Sequence, residues 1–122
     1  MAKILLVEDD MTLKLTYDII LMKSGHDVQR AEDGEQALEL ANKNDFDLIL
    51  LDMMMPKMGG LEFLRAYDLV NKHPDVKVIV FTNMETTEFI DEAYKLGAKK
   101  YMIKSQTSPR KLEKLIEEVL AA

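Results

Sequence analysis

With 122 residues, 48% of them hydrophobic and 31% charged, the chain has the length of one domain and the composition of a packed core, so a single unit spanning 1–122 is expected rather than a multidomain enzyme. Lys plus Arg number 16 against 22 Asp plus Glu, a net charge of -6 that argues against direct contact with nucleic acid or an anionic membrane. Cysteine is absent, which excludes disulfides, zinc-thiolate sites and thiol nucleophiles; the first apolar run is far too short for a signal segment or a membrane span, so a cytoplasmic protein is expected.

The first apolar run, Ile4-Leu5-Leu6-Val7, reads as a strand buried on both faces. A helix over about 11–23 follows, with Met11, Leu15, Ile19 and Met22 on one apolar stripe and Gly25 just past its end. Residues 26–31 mix polar and apolar types and predict a more exposed strand, then a helix over about 34–43 carries Ala37, Leu38 and Ala41. Leu48-Ile49-Leu50-Leu51 is the next all-apolar strand, and a helix over about 60–72 stops before His73-Pro74. Val78-Ile79-Val80-Phe81 predicts the fourth strand, about 85–96 the fourth helix, and 99–103 a fifth, more polar strand. Ser108 as N-cap and Pro109 at the first helical position open the fifth helix, whose Leu112, Leu115, Ile116, Val119 and Leu120 repeat at helical period.

Five alternations of strand and helix predict an α/β, doubly wound five-stranded parallel sheet flanked by five helices. The all-apolar strands belong inside, which leaves the second and fifth at the edges and gives the order 2-1-3-4-5 of flavodoxin-like folds. Ligands then bind beyond the carboxyl ends of the strands, between strands 1 and 3.

The polar residues that close the strands all fall at that end. Glu8, Asp9 and Asp10 follow strand 1, Asp52 closes strand 3, Thr82 strand 4 and Lys104 strand 5. Carboxylates gathered in a crevice raise one another's pKa unless a cation or a lysine compensates, and a hard divalent ion such as Mg²⁺ is the simplest cation with oxygen ligands. Asp9 or Asp10 could instead only cap the following helix. Asp52, directly after a buried strand, is harder to assign to capping. His26 and His73 lie near loops without metal-ligand spacing and read as surface residues, and Met53-Met54-Met55 reads as packing filler.

Taken in order, Ile4 to Asp10, Asp33-Gly34, Leu51-Asp52-Met53-Met54-Met55-Pro56 with Gly60, Thr82, and Gly97-Ala98 leading to Tyr101-Met102-Ile103-Lys104 closely resemble the receiver domain of two-component response regulators, the CheY-like family. The resemblance implies that Asp52 is the phosphoacceptor. It implies Mg²⁺ held by the Asp9 and Asp52 carboxylates, the Met54 backbone carbonyl and, through a water, Glu8. Thr82 and Lys104 would contact phosphoryl oxygens, while Met54, Asn83 and Met84 would govern access of water. The donor would be a histidine kinase or phosphotransfer protein. Tyr101 would swing inward with Thr82, changing the face of the fourth predicted helix, fifth strand and fifth predicted helix presented to a downstream protein. The chain would thus be a phosphorylation-dependent switch, not an enzyme acting on a free substrate.

Two positions depart from the family's usual pattern: Ser105 stands where proline usually follows the lysine, and Asn83 where a smaller residue usually follows Thr82. Without proline a cis peptide costs about 2.5–4 kcal/mol, so a trans Lys104-Ser105 bond is expected. A flavin carrier of the same architecture would need hydrogen-bond donors, not three acids, after strand 1. A phosphatase of the haloacid dehalogenase type would need an acid where Met54 stands. A receiver-like module independent of phosphorylation would be expected to lack some of the acids, Thr82 or Lys104, and all are present.

Overall fold

The computed structural model describes residues 2–55, 57–83 and 87–122. Its strands are β1 (Lys3–Val7), β2 (Asp27–Ala31), β3 (Leu48–Asp52), β4 (Lys77–Thr82) and β5 (Lys100–Ile103), and its α-helices are α1 (Met11–Lys23), α2 (Gly34–Lys43), α3 (Gly60–Tyr67), α4 (Leu69–Lys72), α5 (Thr87–Lys95) and α6 (Pro109–Ala121). All strand pairs are parallel, in the order β2-β1-β3-β4-β5, as the alternation and the apolar runs predict.

Successive strand residues point to opposite faces. Leu5, Val7, Ile49, Leu51, Val78 and Val80 pack beneath α2, α3, α4 and α5, through Ala37, Ala41, Phe63, Leu64, Tyr67, Leu69 and Ala93. Their neighbours Ile4, Leu6, Leu48, Leu50, Ile79 and Phe81 pack against Tyr17, Ile20 and Leu21 of α1 and Leu112, Ile116 and Val119 of α6. Burial on both faces is what makes β1, β3 and β4 continuous apolar runs.

Three expectations need correction. The helix expected over 60–72 is divided: Asp68 sits in the left-handed region at φ 54°, ψ 55° and separates α3 from α4. Aspartate tolerates that conformation better than most residues because its short side chain bonds locally, here accepting from Asn71 Nδ2 at 2.9 Å. The two segments occupy the place of one predicted helix.

The apolar stripe of α1 faces solvent. Met11, Leu15, Ile19 and Met22 are each more than half exposed, whereas Lys14, Tyr17, Ile20 and Leu21 are buried. At 100° per residue the two groups lie roughly 150° apart around the helix, so α1 has apolar residues on both sides. Tyr17 decides the orientation by standing edge-on to Phe81, with ring centroids 5.4 Å apart, and Lys14 snorkels to Glu32 at 3.0 Å. His26 and His73 are likewise half-buried rather than surface residues: His26 Nδ1 accepts from the Ala2 N–H at 3.1 Å, and the His73 ring stacks on Tyr67 at 3.9 Å.

No helix among the described residues is long and apolar enough to cross a membrane. The orientation of α1 is tested by urea denaturation. Leu21→Ala should lose about 2–5 kcal/mol by opening a cavity, while Leu15→Ser and Ile19→Ser should each change stability by less than about 0.5 kcal/mol. Equal losses would place the wrong face in the core.

Candidate functional site

Strand register brings the polar residues level. Val7 pairs with Leu51, Asp52 with Phe81, Phe81 with Met102, and Thr82 with Ile103. Glu8 and Asp52 continue the parity of Leu6 and Leu50, and Lys104 that of Met102, all toward the α1/α6 face. Thr82 continues the parity of Val80, toward α5.

The side chains meet accordingly. Lys104 Nζ stands 3.0 Å from Asp52 Oδ2 and 3.0 Å from Glu8 Oε2, spanning the Phe81 ring at 5.2 Å from its centroid. Glu8 and Asp52 are 0% and 1% exposed. Asp52 Oδ1 accepts the Met54 N–H at 3.1 Å, and Glu8 Oε1 accepts the Asp10 N–H at 3.0 Å. Asp10 itself caps α1, its Oδ1 accepting from Leu13 N–H at 3.0 Å, so the capping alternative holds for Asp10 and not for Asp9.

One oxygen each from Glu8, Asp9 and Asp52 lies within 4.8 Å of the others, with Asp9 on the exposed rim. Glu8 Oε2 is buried and, among the described residues, takes part in no hydrogen bond of good geometry, although Lys104 is in ion-pair range. Three hard oxygen donors, one of them an incompletely satisfied buried carboxylate oxygen, suit a small divalent cation.

Burial pushes the Asp52 carboxyl up to about 7; the Met54 N–H and Lys104 favour its charged form, and Glu8 opposes it. Burial disfavours charge on Lys104 as well, but hydrogen bonds to Glu8 and Asp52 outweigh it and raise its pKa.

Of the remaining expected residues, Thr82 closes β4, Asn83 follows it and Tyr101 lies on β5. Thr82 is buried at the end of β4 and Asn83 is exposed; Met84 lies outside the described residues. Tyr101 is 41% exposed, edge-on to Tyr94 at 6.2 Å. Met53 is buried and Met55 packs partly on the core, but the Met54 side chain is 57% exposed, so packing filler describes only two of the three. No cis peptide occurs among the described residues; Lys104–Gln106 forms a single 3₁₀ turn. The sequence points to a lysine as one possible partner of the acids but does not single out the Glu8–Lys104 pair, although strand parity carries the signal.

In divalent-free buffer the raised Asp52 pKa has a defined sign. The folded state holds a proton that the unfolded state releases above about pH 4, so this contribution favours folding below that pH and is lost as pH rises through about 7. Asp52→Asn should therefore stabilise the protein at pH 8, by on the order of 2 kcal/mol, and have little effect near pH 4. Urea midpoints at the two pH values, with EDTA present, read the difference; an Asn variant less stable at pH 8 would show that the ion pair outweighs desolvation.

Comparison with known proteins agrees with this fold. The chain matches the model of the response regulator receiver domain over residues 4–117. It is 33% identical over 120 residues to a chemotaxis protein CheY homologue of Campylobacter jejuni, covering 97% of this chain and 92% of that one. It is 38% identical over 86 residues to the transcriptional regulatory protein DegU of Brevibacillus brevis, but spans only 36% of that protein's length. The structure of the chemotaxis protein CheY4 of Vibrio cholerae superposes with a TM-score of 0.88 at 31% identity, covering 98% of both chains. By sequence and fold together, the chain belongs to the response regulator receiver domain family and has its CheY-like architecture.

Proposed function

We propose that residues 1–122 act as one receiver unit that takes a phosphoryl group on Asp52 from a phosphohistidine of a histidine kinase or phosphotransfer protein in the cytoplasm. The observation that carries this reading is the setting of Asp52: a buried carboxylate with one oxygen on the Met54 N–H and the other on Lys104, at the edge of a group of acids. In the transfer a carboxylate oxygen of Asp52 forms a bond to phosphorus as the phosphorus–nitrogen bond breaks, and the electron pair leaves with the imidazole. Such a reaction asks for positioning and for charge opposite the phosphoryl oxygens.

Lys104 supplies one such charge and is already anchored beside the acceptor. When bound, a Mg²⁺ ion held by Asp9, Asp52, the Met54 carbonyl and, through water, Glu8 would keep Asp52 ionised and offset further negative charge on the phosphoryl group. Thr82, at the neighbouring strand end, would hydrogen-bond a phosphoryl oxygen. The exposed, uncharged stripe of α1 begins directly after Asp10 and offers a phosphodonor an apolar surface beside the site.

The output follows from differential contacts. A phosphoryl group that draws Thr82 toward it favours whichever state lets β4 and α5 accommodate the movement. Met53, Val80, Phe89, Ile90 and Ala93 line a small apolar recess behind Thr82. Tyr101, exposed in this state, would turn inward as Thr82 moves and reshape the α5/β5/α6 face for a downstream protein.

Two measurements test the reading. With a small acyl phosphate and Mg²⁺, intact-mass spectrometry should show one added phosphoryl group on the wild type and none on Asp52→Asn or in EDTA; labelling that survives Asp52→Asn would refute the assignment. Met54 presents no group able to orient water at the rim, so the acyl phosphate should be long-lived. Met54→Asn should shorten its half-life several-fold in a dephosphorylation time course, and an unchanged half-life would remove Met54 from control of water access.

A further inference from the structure

The segment between Asp52 and α3 carries the Met54 N–H that bonds Asp52 Oδ1. Its root is tied by Met53 N–H to Phe81 O at 3.3 Å and by Gly60 N–H to Met53 O at 3.2 Å. Its far end is held by another element altogether. Gly34, the first residue of α2, donates its backbone N–H to the Met58 carbonyl oxygen at 3.1 Å. One residue earlier, Asp33 Oδ1 accepts the Gln36 N–H at 2.8 Å and caps the helix, while Oδ2 lies 3.8 Å from Lys57 Nζ.

The approach of α2 to this loop depends on the missing side chain. A Cβ at residue 34 would stand 2.3 Å from the Met58 oxygen and 2.7 Å from the Met58 Cβ. Optimal non-bonded separations are about 3.5–4.0 Å between carbons, so any larger residue would push the loop away by about 1 Å. Gly34 is also helical, and within a helix glycine is less favourable than alanine by about 0.8–1.0 kcal/mol. Local backbone preference therefore gives no reason for glycine here, and close approach does.

We infer that Gly34 is a positioning residue for Asp52: by seating the start of α2 directly on the Met58 carbonyl, it fixes the loop that keeps the Met54 N–H on the Asp52 carboxylate. The functional weight of this anchor rests on the reading of Asp52 as phosphoacceptor, but the anchor itself can be measured without phosphorylation or metal. A displacement of about 1 Å in a supporting loop is enough to degrade a preorganised site.

The test is amide hydrogen exchange by NMR on divalent-free protein, comparing wild type, Gly34→Ala and Gly25→Ala. Gly25 has φ +86° with open space around the position of a Cβ, so alanine there strains the backbone without touching the loop. The Met54 amide should exchange about ten-fold faster in Gly34→Ala than in Gly25→Ala, and Mg²⁺ titration of the same spectra should show several-fold weaker binding for Gly34→Ala alone. Equal Met54 exchange in the two variants would overturn the inference. If Gly34→Ala does not fold, divalent-free wild type still decides: the Met54 and Gly34 amides should open with one free energy and one urea dependence, and different values would refute the coupling. A wild type that takes up no Mg²⁺ would count against the metal part of the proposed function, while the metal-free exchange measurements decide the role of Gly34.

Discussion

One ammonium group lets two carboxylates sit in the floor of the sheet. Glu8 and Asp52 are almost wholly removed from water, a state that ordinarily costs several kcal/mol per ion. Lys104 offsets part of that cost by contacting both at 3.0 Å, and the Asp10 and Met54 N–H groups take one oxygen from each. The compensation is partial, as the upward shift of Asp52 shows. A site left short of positive charge is one that a cation can complete, so its incompleteness is consistent with its proposed use.

Much of the fold was legible because burial on both faces leaves an unmistakable mark. Leu48 to Leu51 can be little other than an interior strand, and once three such strands are placed, the order of the sheet and the position of Asp52 follow. The face of α1 was not legible, because the sequence shows where apolar residues recur and not which recurrence meets a neighbour. Tyr17 and Lys14 are amphipathic residues whose burial depends on Phe81 and Glu32, partners far away in the chain. The break at Asp68 carried no glycine or proline to announce it, and rests on a local bond to Asn71.

The candidate site was legible residue by residue and less so as a network. The strand ends picked out Asp52, Asp9, Glu8, Thr82 and Lys104 and resemblance gave them roles, but the bond from Lys104 to Glu8 depends on parity and register, and the loop anchored at Gly34 depends on a backbone approach that no pattern of side chains records. Glycine is conspicuous in a sequence only when a turn is expected. At the start of a helix it reads as a weak helix former, and its meaning emerges only from what lies against it.

The ion pairs of Lys104 also bear on the order in which the molecule is made. Lys104 and Glu8 are 96 residues apart in a chain of 122, and β5 is an edge strand that must dock before the pair can form. Contacts of such long range form only after a large loop-closure entropy has been met. A chain with β1, β3 and β4 assembled but β5 still free would hold Glu8 and Asp52 side by side without their cation. The repulsion in that state works against burying the two acids without the C-terminal segment, so Lys104 couples burial of the acids to docking of β5.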